Sequence, residues 1–207
     1  MPRKVQYSRE MIIDAAIEMV RAKGYESINA RDLGAWLGCS SRPLFTAFRN
    51  MEEVVAATRM EAAARFLAFV REAEKEGSAP TSRGVPGHCA LSGEPISKRM
   101  GMRIVQFAAR EPNLYNFIHW SGGTMPDVAE LREMMSEYYV RDYQLSPDEA
   151  RDFFEQMMLF SMGLCTMITN HVREYKPEEI GHLLQVHFQA TMEYFKRNQE
   201  QGTKNKD

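Results

Sequence analysis

Residues 28–49, INARDLGAWLGCSSRPLFTAFR, constrain the fold more than any other part of this 207-residue chain. They read as two short helices joined by a tight turn. Asn29 suits an N-cap, and Asp32 lies three residues on, as in a capping box. Ala30, Leu33 and Leu37 then recur at helical spacing. Gly38 is expected to stop that helix, since the left-handed conformation at a helix end costs glycine least. Ser40 is expected to cap the next helix, with Leu44 and Phe48 as its apolar face. Two helices joined this way form a helix-turn-helix.

The other face of the second helix shows Ser41, Arg42, Phe45 and Thr46. Hydroxyls and a guanidinium near a helix start are donors suited to base edges and phosphates. Pro43 is tolerated there because first-turn amides have no intrahelical partner. Upstream, SREMIIDAAIEMVRAKG places Ile12, Ala15, Ala16, Met19 and Val20 on one helical stripe, with Gly24 ending it and Tyr25 and Ile28 as apolar plugs. Three helices suffice for a small core that leaves the last one free to enter a groove.

The run AAIEMVRAKGYESINARDLGAWLGCSSRPLFTAFRNMEEVVAA is similar to the N-terminal domain of the TetR family of transcriptional regulators. The likeness rests on Ala16 to Gly24-Tyr25, the capped second helix, Leu37-Gly38-Cys39-Ser40, Leu44-Phe45-x-x-Phe48, and Asn50 to Glu53 opening a long fourth helix. The resemblance implies a homodimer that binds palindromic double-stranded operator DNA and releases it on binding a small-molecule effector. Ser41, Arg42, Pro43 and Thr46 fall where that family reads bases, and Asn29 and Arg31 where it touches phosphates. Phe45 replaces the family's usual tyrosine, keeping its packing but not the hydroxyl that meets a phosphate. Met51 stands where a basic residue usually meets the backbone, and Ala47 is smaller than the usual histidine.

Charge is unevenly placed. Residues 1–50 hold eight basic and five acidic residues, a net of +3, so the remainder carries −5 of the overall −2. A mildly basic head on an acidic body fits a DNA-binding head, residues 1–50, and a separate ligand-binding and dimerisation domain, residues 51–207. Three cysteines without a CxxC do not resemble a disulfide framework. The N-terminus lacks an apolar signal region, so a cytoplasmic protein is expected. The uncharged stretch 156–170 is short for a membrane span, which needs about 20 residues, and reads as a buried core helix.

The fold class expected is all-α, with about nine helices. A fourth helix runs from Asn50 to about Glu76, where Gly77 and Pro80 oppose continuation. The glycine- and proline-rich segment after it reads as a loop, and His88-Cys89 within it has no second ligand pair at metal-site spacing. Helices follow over Ile96 to Arg110, Pro112 to His119, from a Thr124 cap onward, from Ser146-Pro147-Asp148-Glu149 to about Glu174, and from Lys176-Pro177 to about Asn198, with GTKNKD as a frayed tail. VQFAAREPNLYNFIHW resembles a pattern in the C-terminal domains of one group of TetR-like proteins.

The last two helices are apolar on more than one face. Ile180, Leu184, His187, Thr191 and Phe195 make one stripe of the ninth, and Leu183, Val186, Ala190 and Tyr194 another. A helix apolar all round must be covered all round, which points to a two-fold dimer through these helices, with Ser161 and Gly163 permitting close approach. The resemblance implies a pocket bounded by the fourth to eighth helices. Its candidate lining is Phe66, Phe69, Phe107, Tyr115, Trp120, Met157 and Phe160, with Arg103, Asn116, His119 and Cys165 as polar members. No cofactor is expected. No nucleophile–base pair, glycine-rich phosphate loop or HExxH motif indicates an enzyme. A second reading is a dimeric helical protein-interaction module with weakened DNA binding, favoured by Phe45 and Met51.

Overall fold

The computed structural model describes residues 7–76, 95–121 and 128–204. Among the described residues the fold is all-α, with nine α-helices and no strand. They are α1 (Arg9–Lys23), α2 (Ala30–Trp36), α3 (Leu44–Ala47), α4 (Met51–Glu76), α5 (Ile96–Arg110), α6 (Pro112–Trp120), α7 (Ala129–Tyr143), α8 (Pro147–Thr169) and α9 (Pro177–Lys204), with a single 3-10 turn at Tyr25–Ser27.

Local chemistry accounts for most of the boundaries. The Ser8 hydroxyl accepts the Met11 N–H at 3.2 Å and starts α1. Gly24 ends it with φ of 78°, a conformation that L side chains rarely adopt. Asn29 caps α2 by accepting the Asp32 N–H at 2.9 Å. The expected capping box is only half formed, because the Asn29 amide donates to the Asp32 carboxylate instead of Asp32 reaching a backbone N–H. Gly38 closes the turn after α2 at φ 70°. The motif opening α8 is complete: Ser146 Oγ accepts from Glu149 N at 3.3 Å, and Glu149 Oε2 accepts from Ser146 N at 2.8 Å.

Several boundaries differ from expectation. Ser40 caps nothing; Pro43 holds the N-cap position of α3, with no side-chain cap, and α3 is a single turn. Ser41, Arg42 and Pro43 therefore lie on the turn leading into α3. Helix α8 stops at Thr169, short of Glu174, because His171 adopts φ of 53° and turns the chain. Helix α9 continues past Asn198 to Lys204. Helix α7 begins at Ala129; its expected cap Thr124, and His88 and Cys89, lie outside the described residues.

The chain forms two compact units. The first contains the chain through Ala68 and returns for α6; the second holds the segment from Phe69 to Ala109 and everything from α7 onward. The expected head, residues 1–50, falls wholly within the first unit, which also takes in most of α4. Its core is Ile12, Ala16, Met19, Leu33, Leu44, Phe48 and Val54, with Tyr7, Leu37, Ala47 and Met51 packed against it. Tyr7 ties the entry to α1 onto the helix-turn-helix by donating to Leu37 O at 3.0 Å. The second unit is centred on Phe153, whose ring meets Tyr139 at 4.7 Å, Phe188 at 5.1 Å and Phe195 at 5.8 Å.

Candidate nucleic-acid interface

The helix-turn-helix is held from beneath and open above. Leu33, Leu44 and Phe48 are buried, while Asn29, Arg31, Arg42, Phe45 and Thr46 are exposed and Ser41 and Pro43 half-buried. Seven residues proposed from sequence thus lie on or beside the two helices that frame the turn. Asn29 is already engaged, its amide donating to Ser27 O at 3.1 Å and to Asp32. Phe45 is 46% exposed, on the face away from the core where helical spacing puts it. A phenyl ring held in water at this position needs a covering partner to recover its hydrophobic free energy.

A methionine at position 51, where the resemblance implies a basic residue, has a physical reason. It lies in the first turn of α4 and packs against the head core. An unbranched thioether fills irregular gaps of this kind well. No cation is offered at that position; the guanidinium nearest in sequence is the exposed Arg49.

Two features of the head escaped the sequence. Gly34 sits where a Cβ would come within 3.0–3.1 Å of the backbone of Cys39, Ser40 and Ser41, so only glycine lets α2 pass the turn this closely. A glycine inside a helix costs about 1 kcal/mol against alanine, and that cost was the available signal of a packing requirement. The second is an arginine–carboxylate bridge. Arg9 Nη1 donates to Ala47 O at 2.6 Å and to Glu53 Oε1 at 3.0 Å, and its guanidinium lies 4.0 Å over the Phe48 ring. Glu53 Oε2 accepts the Arg49 N–H at 2.8 Å, and Glu53 N–H donates to Asn50 Oδ1 at 2.8 Å. The Arg49 N–H and the Arg9 guanidinium hold the Glu53 carboxyl below the usual carboxylate range.

The proposed effector residues fall into two sets. In the first unit, Phe66 meets Tyr115 edge-on at 6.5 Å and His119 at 5.8 Å, and Tyr115 stacks on His119 at 4.0 Å. All three are buried. Tyr115 O can only accept, so His119 Nδ1, 2.9 Å away, carries a proton. Burial pushes the His119 pKa below its ordinary value. Asn116 Oδ1 is buried without a hydrogen-bond partner among the described residues. Trp120, at the end of α6, is 44% exposed. In the second unit, Phe69 lies 5.8 Å from Phe107 and 4.7 Å beneath the Arg103 guanidinium. Arg103 Nη1 also donates to Phe69 O at 3.0 Å and to Glu72 at 2.8 Å. On α8, Cys165 is buried, Met157 half-buried, and Phe160 stacks on His187 at 4.2 Å.

The faces of α9 follow the two-stripe pattern only in part: His187 and Thr191 of the first stripe and Leu183 of the second are half-buried, and the buried Met192 belongs to neither. Ile180, Leu184, Met192 and Phe195 are buried. Val186, Ala190 and Tyr194 on α9, and Leu159, Gly163 and Met167 on α8, are exposed in the single chain. Among the described residues no three His, Cys, Asp or Glu side chains come together as a metal site, and no helix is long and apolar enough to cross a membrane.

No family model and no curated protein matches the sequence. Solved structures do match. A TetR-like transcriptional regulator from a Rhodococcus species superposes with a TM-score of 0.60 at 15% identity, over 91% of this chain and 96% of that one. The fatty acid degradation regulator FadR from Bacillus halodurans superposes with a TM-score of 0.54 at 17% identity, over 92% of this chain and 97% of its own. The chain therefore has the fold of TetR-like transcriptional regulators, over nearly its whole length.

Proposed function

We propose that this protein is a ligand-responsive transcriptional regulator acting as a repressor, which binds palindromic operator DNA as a homodimer and leaves it on binding a small, largely apolar effector. The observation that carries the reading is the head: a buried three-helix core beneath a surface bearing Arg31, Arg42, Phe45 and Thr46 around the short α3. The solved regulators of similar fold support the same assignment. In the proposed dimer, α8 and α9 pack on their copies through the stripes of Leu159 and Met167 and of Val186, Ala190 and Tyr194. Two α3 segments then enter successive major grooves about 34–36 Å apart. The candidate effector contacts in the first unit are Phe66, Tyr115, His119 and Trp120; those in the second are Phe69, Arg103, Phe107, Met157, Phe160 and Cys165. The division of labour is a DNA-binding head over residues 1–50 and a ligand-binding and dimerisation domain over 51–207.

A gel-shift against the chain's own upstream DNA tests the reading. A discrete complex that competitor DNA does not abolish supports it. Binding no tighter than to random duplex at the same salt favours the second reading, a dimeric protein-interaction module. Two observations favour that alternative: Met51 is packed into the head core, and Phe45 has no hydroxyl for a phosphate.

A further inference from the structure

We propose that Arg9 and Glu53 are positioning residues that set the angle of α3 for DNA; this rests on the DNA-binding reading above. The argument begins with the length of α3. Four residues cannot sustain a helix alone, because the first turn fixes several dihedral angles for a single hydrogen bond. The carbonyls at its end have no intrahelical partners. Both problems are met by groups distant in sequence. Arg9, in the first turn of α1, donates to Ala47 O, the last residue of α3, and covers the buried ring of Phe48. The same guanidinium nitrogen reaches Glu53 in the first turn of α4. The other Glu53 oxygen takes the N–H of Arg49, in the short link between α3 and α4. One carboxylate and one guanidinium therefore fix the end of α3, the link and the start of α4 to the start of α1.

Stability is not what this bridge chiefly provides. Its side chains are 46% and 33% exposed, and ion pairs this open to water are screened and stabilise little. Its geometric effect is larger, since α3 is a single turn that carries the exposed Phe45 and Thr46, with the exposed Arg42 on the turn just before it. Rotation of so short an element carries all of them off the DNA together.

Electrostatics gives the test an unambiguous sign. Glu53 is an acid beside the proposed DNA surface, so on charge alone Glu53→Gln should tighten binding to any duplex. A positioning role requires the reverse for specific DNA. The experiment measures full-length wild type, Arg9→Gln, Glu53→Gln and the double variant against a duplex selected by wild type from a random pool, and against poly(dI-dC), over a salt series. The expected result is about a tenfold loss of specific affinity for each single variant, the equivalent of one well-placed base contact. The double variant should be no worse than the weaker single one, with melting temperatures close to wild type. Glu53→Gln should keep the salt slope of wild type. Unchanged or tighter specific binding by Glu53→Gln overturns the positioning role. So does additive loss in the double variant, or a loss confined to Arg9→Gln with a slope smaller by about one, which marks a direct phosphate contact. Wild type that selects no sequence refutes the DNA-binding reading itself, and the positioning role with it.

Discussion

Ala190→Glu should dissociate the proposed dimer while leaving the protomer folded. Ala190 is exposed in the single chain, one turn from Val186 and one from Tyr194, which are 50% and 63% exposed. Alanine and glutamate are both good helix formers, so a surface exchange in mid-helix changes protomer stability by no more than about 0.5 kcal/mol. At a two-fold interface the same exchange buries an unpaired carboxylate, which costs about 3–5 kcal/mol. Symmetry places two such carboxylates in each dimer. Together they cost about 6–10 kcal/mol, and at 1.4 kcal/mol per tenfold the dissociation constant rises by about four to seven orders of magnitude. Sedimentation equilibrium reads the effect: dimer for wild type at micromolar concentration, monomer for the variant, with the same far-ultraviolet circular dichroism. Wild type that sediments as a monomer refutes the interface. A variant that stays dimeric moves the interface away from this stripe.

Arg42→Ala should weaken operator binding by about 1–3 kcal/mol per half-site, measured by fluorescence anisotropy, without lowering the melting temperature, because the residue is exposed on the approach to α3. Loss of both together would make Arg42 structural. Phe66→Ala should destabilise the fold by about 3–5 kcal/mol in urea titration, since this ring is only 5% exposed and packs on Tyr115 and His119; a loss below about 1 kcal/mol would mean that the cluster is loosely packed. His119, whose pKa is depressed by burial, should make stability depend on pH. As pH falls below about 6.5 the unfolded chain takes up the proton first, so the contribution present above that value is lost towards the lower folded pKa. His119→Asn keeps an N–H for Tyr115 O and removes the titration. Its stability relative to wild type should therefore rise on acidification, and a constant difference across that range would contradict the neutral, buried imidazole.

Features set within one or two helical turns were legible in the sequence. Ile96–Arg110 was bounded correctly because proline stands at each end and a stripe of large apolar residues lies between. The Ser146–Glu149 box was legible because each of its bonds joins residues three apart. Of the stripe Leu183, Val186, Ala190 and Tyr194 that periodicity marks, the last three are exposed and Leu183 is half-buried. Boundaries governed by an unusual backbone conformation were not legible: nothing local marks His171 for positive φ, so the helical pattern of α8 runs on past its true end at Thr169. Ser40 suits a cap by residue type, but the N-cap position of α3 falls at Pro43. Contacts across long sequence separations were also missed. Arg9 and Glu53 are 44 residues apart, and Arg21 and Glu111 are 90 apart. Each pair reads locally as ordinary surface charge.

That last pair changes how effector binding would reach DNA. From sequence, α4 is the only continuous link between head and sensor. In the first compact unit α6 also grips the end of α1: Arg21 Nε donates to Glu111 at 3.0 Å, Asn113 Nδ2 donates to Arg21 O at 2.9 Å, and Tyr25 stacks on Phe117 at 6.4 Å. Phe66 on α4 and Tyr115 and His119 on α6 pack together in this same unit. A ligand that repacks them would press on two helices that both bear on the head, one continuous with its last turn and one latched to α1. It shifts the head only as far as it prefers the shifted state, and operator DNA must then weaken ligand binding by the same factor. If the latch transmits, Glu111→Gln combined with Asn113→Ala should shrink that factor equally in both directions while ligand-free DNA affinity holds. Isothermal titration of any bound effector against free and operator-bound protein measures it. A factor untouched by the double variant would leave α4 as the sole carrier, and equal affinity in the two states would remove the coupling altogether for that ligand.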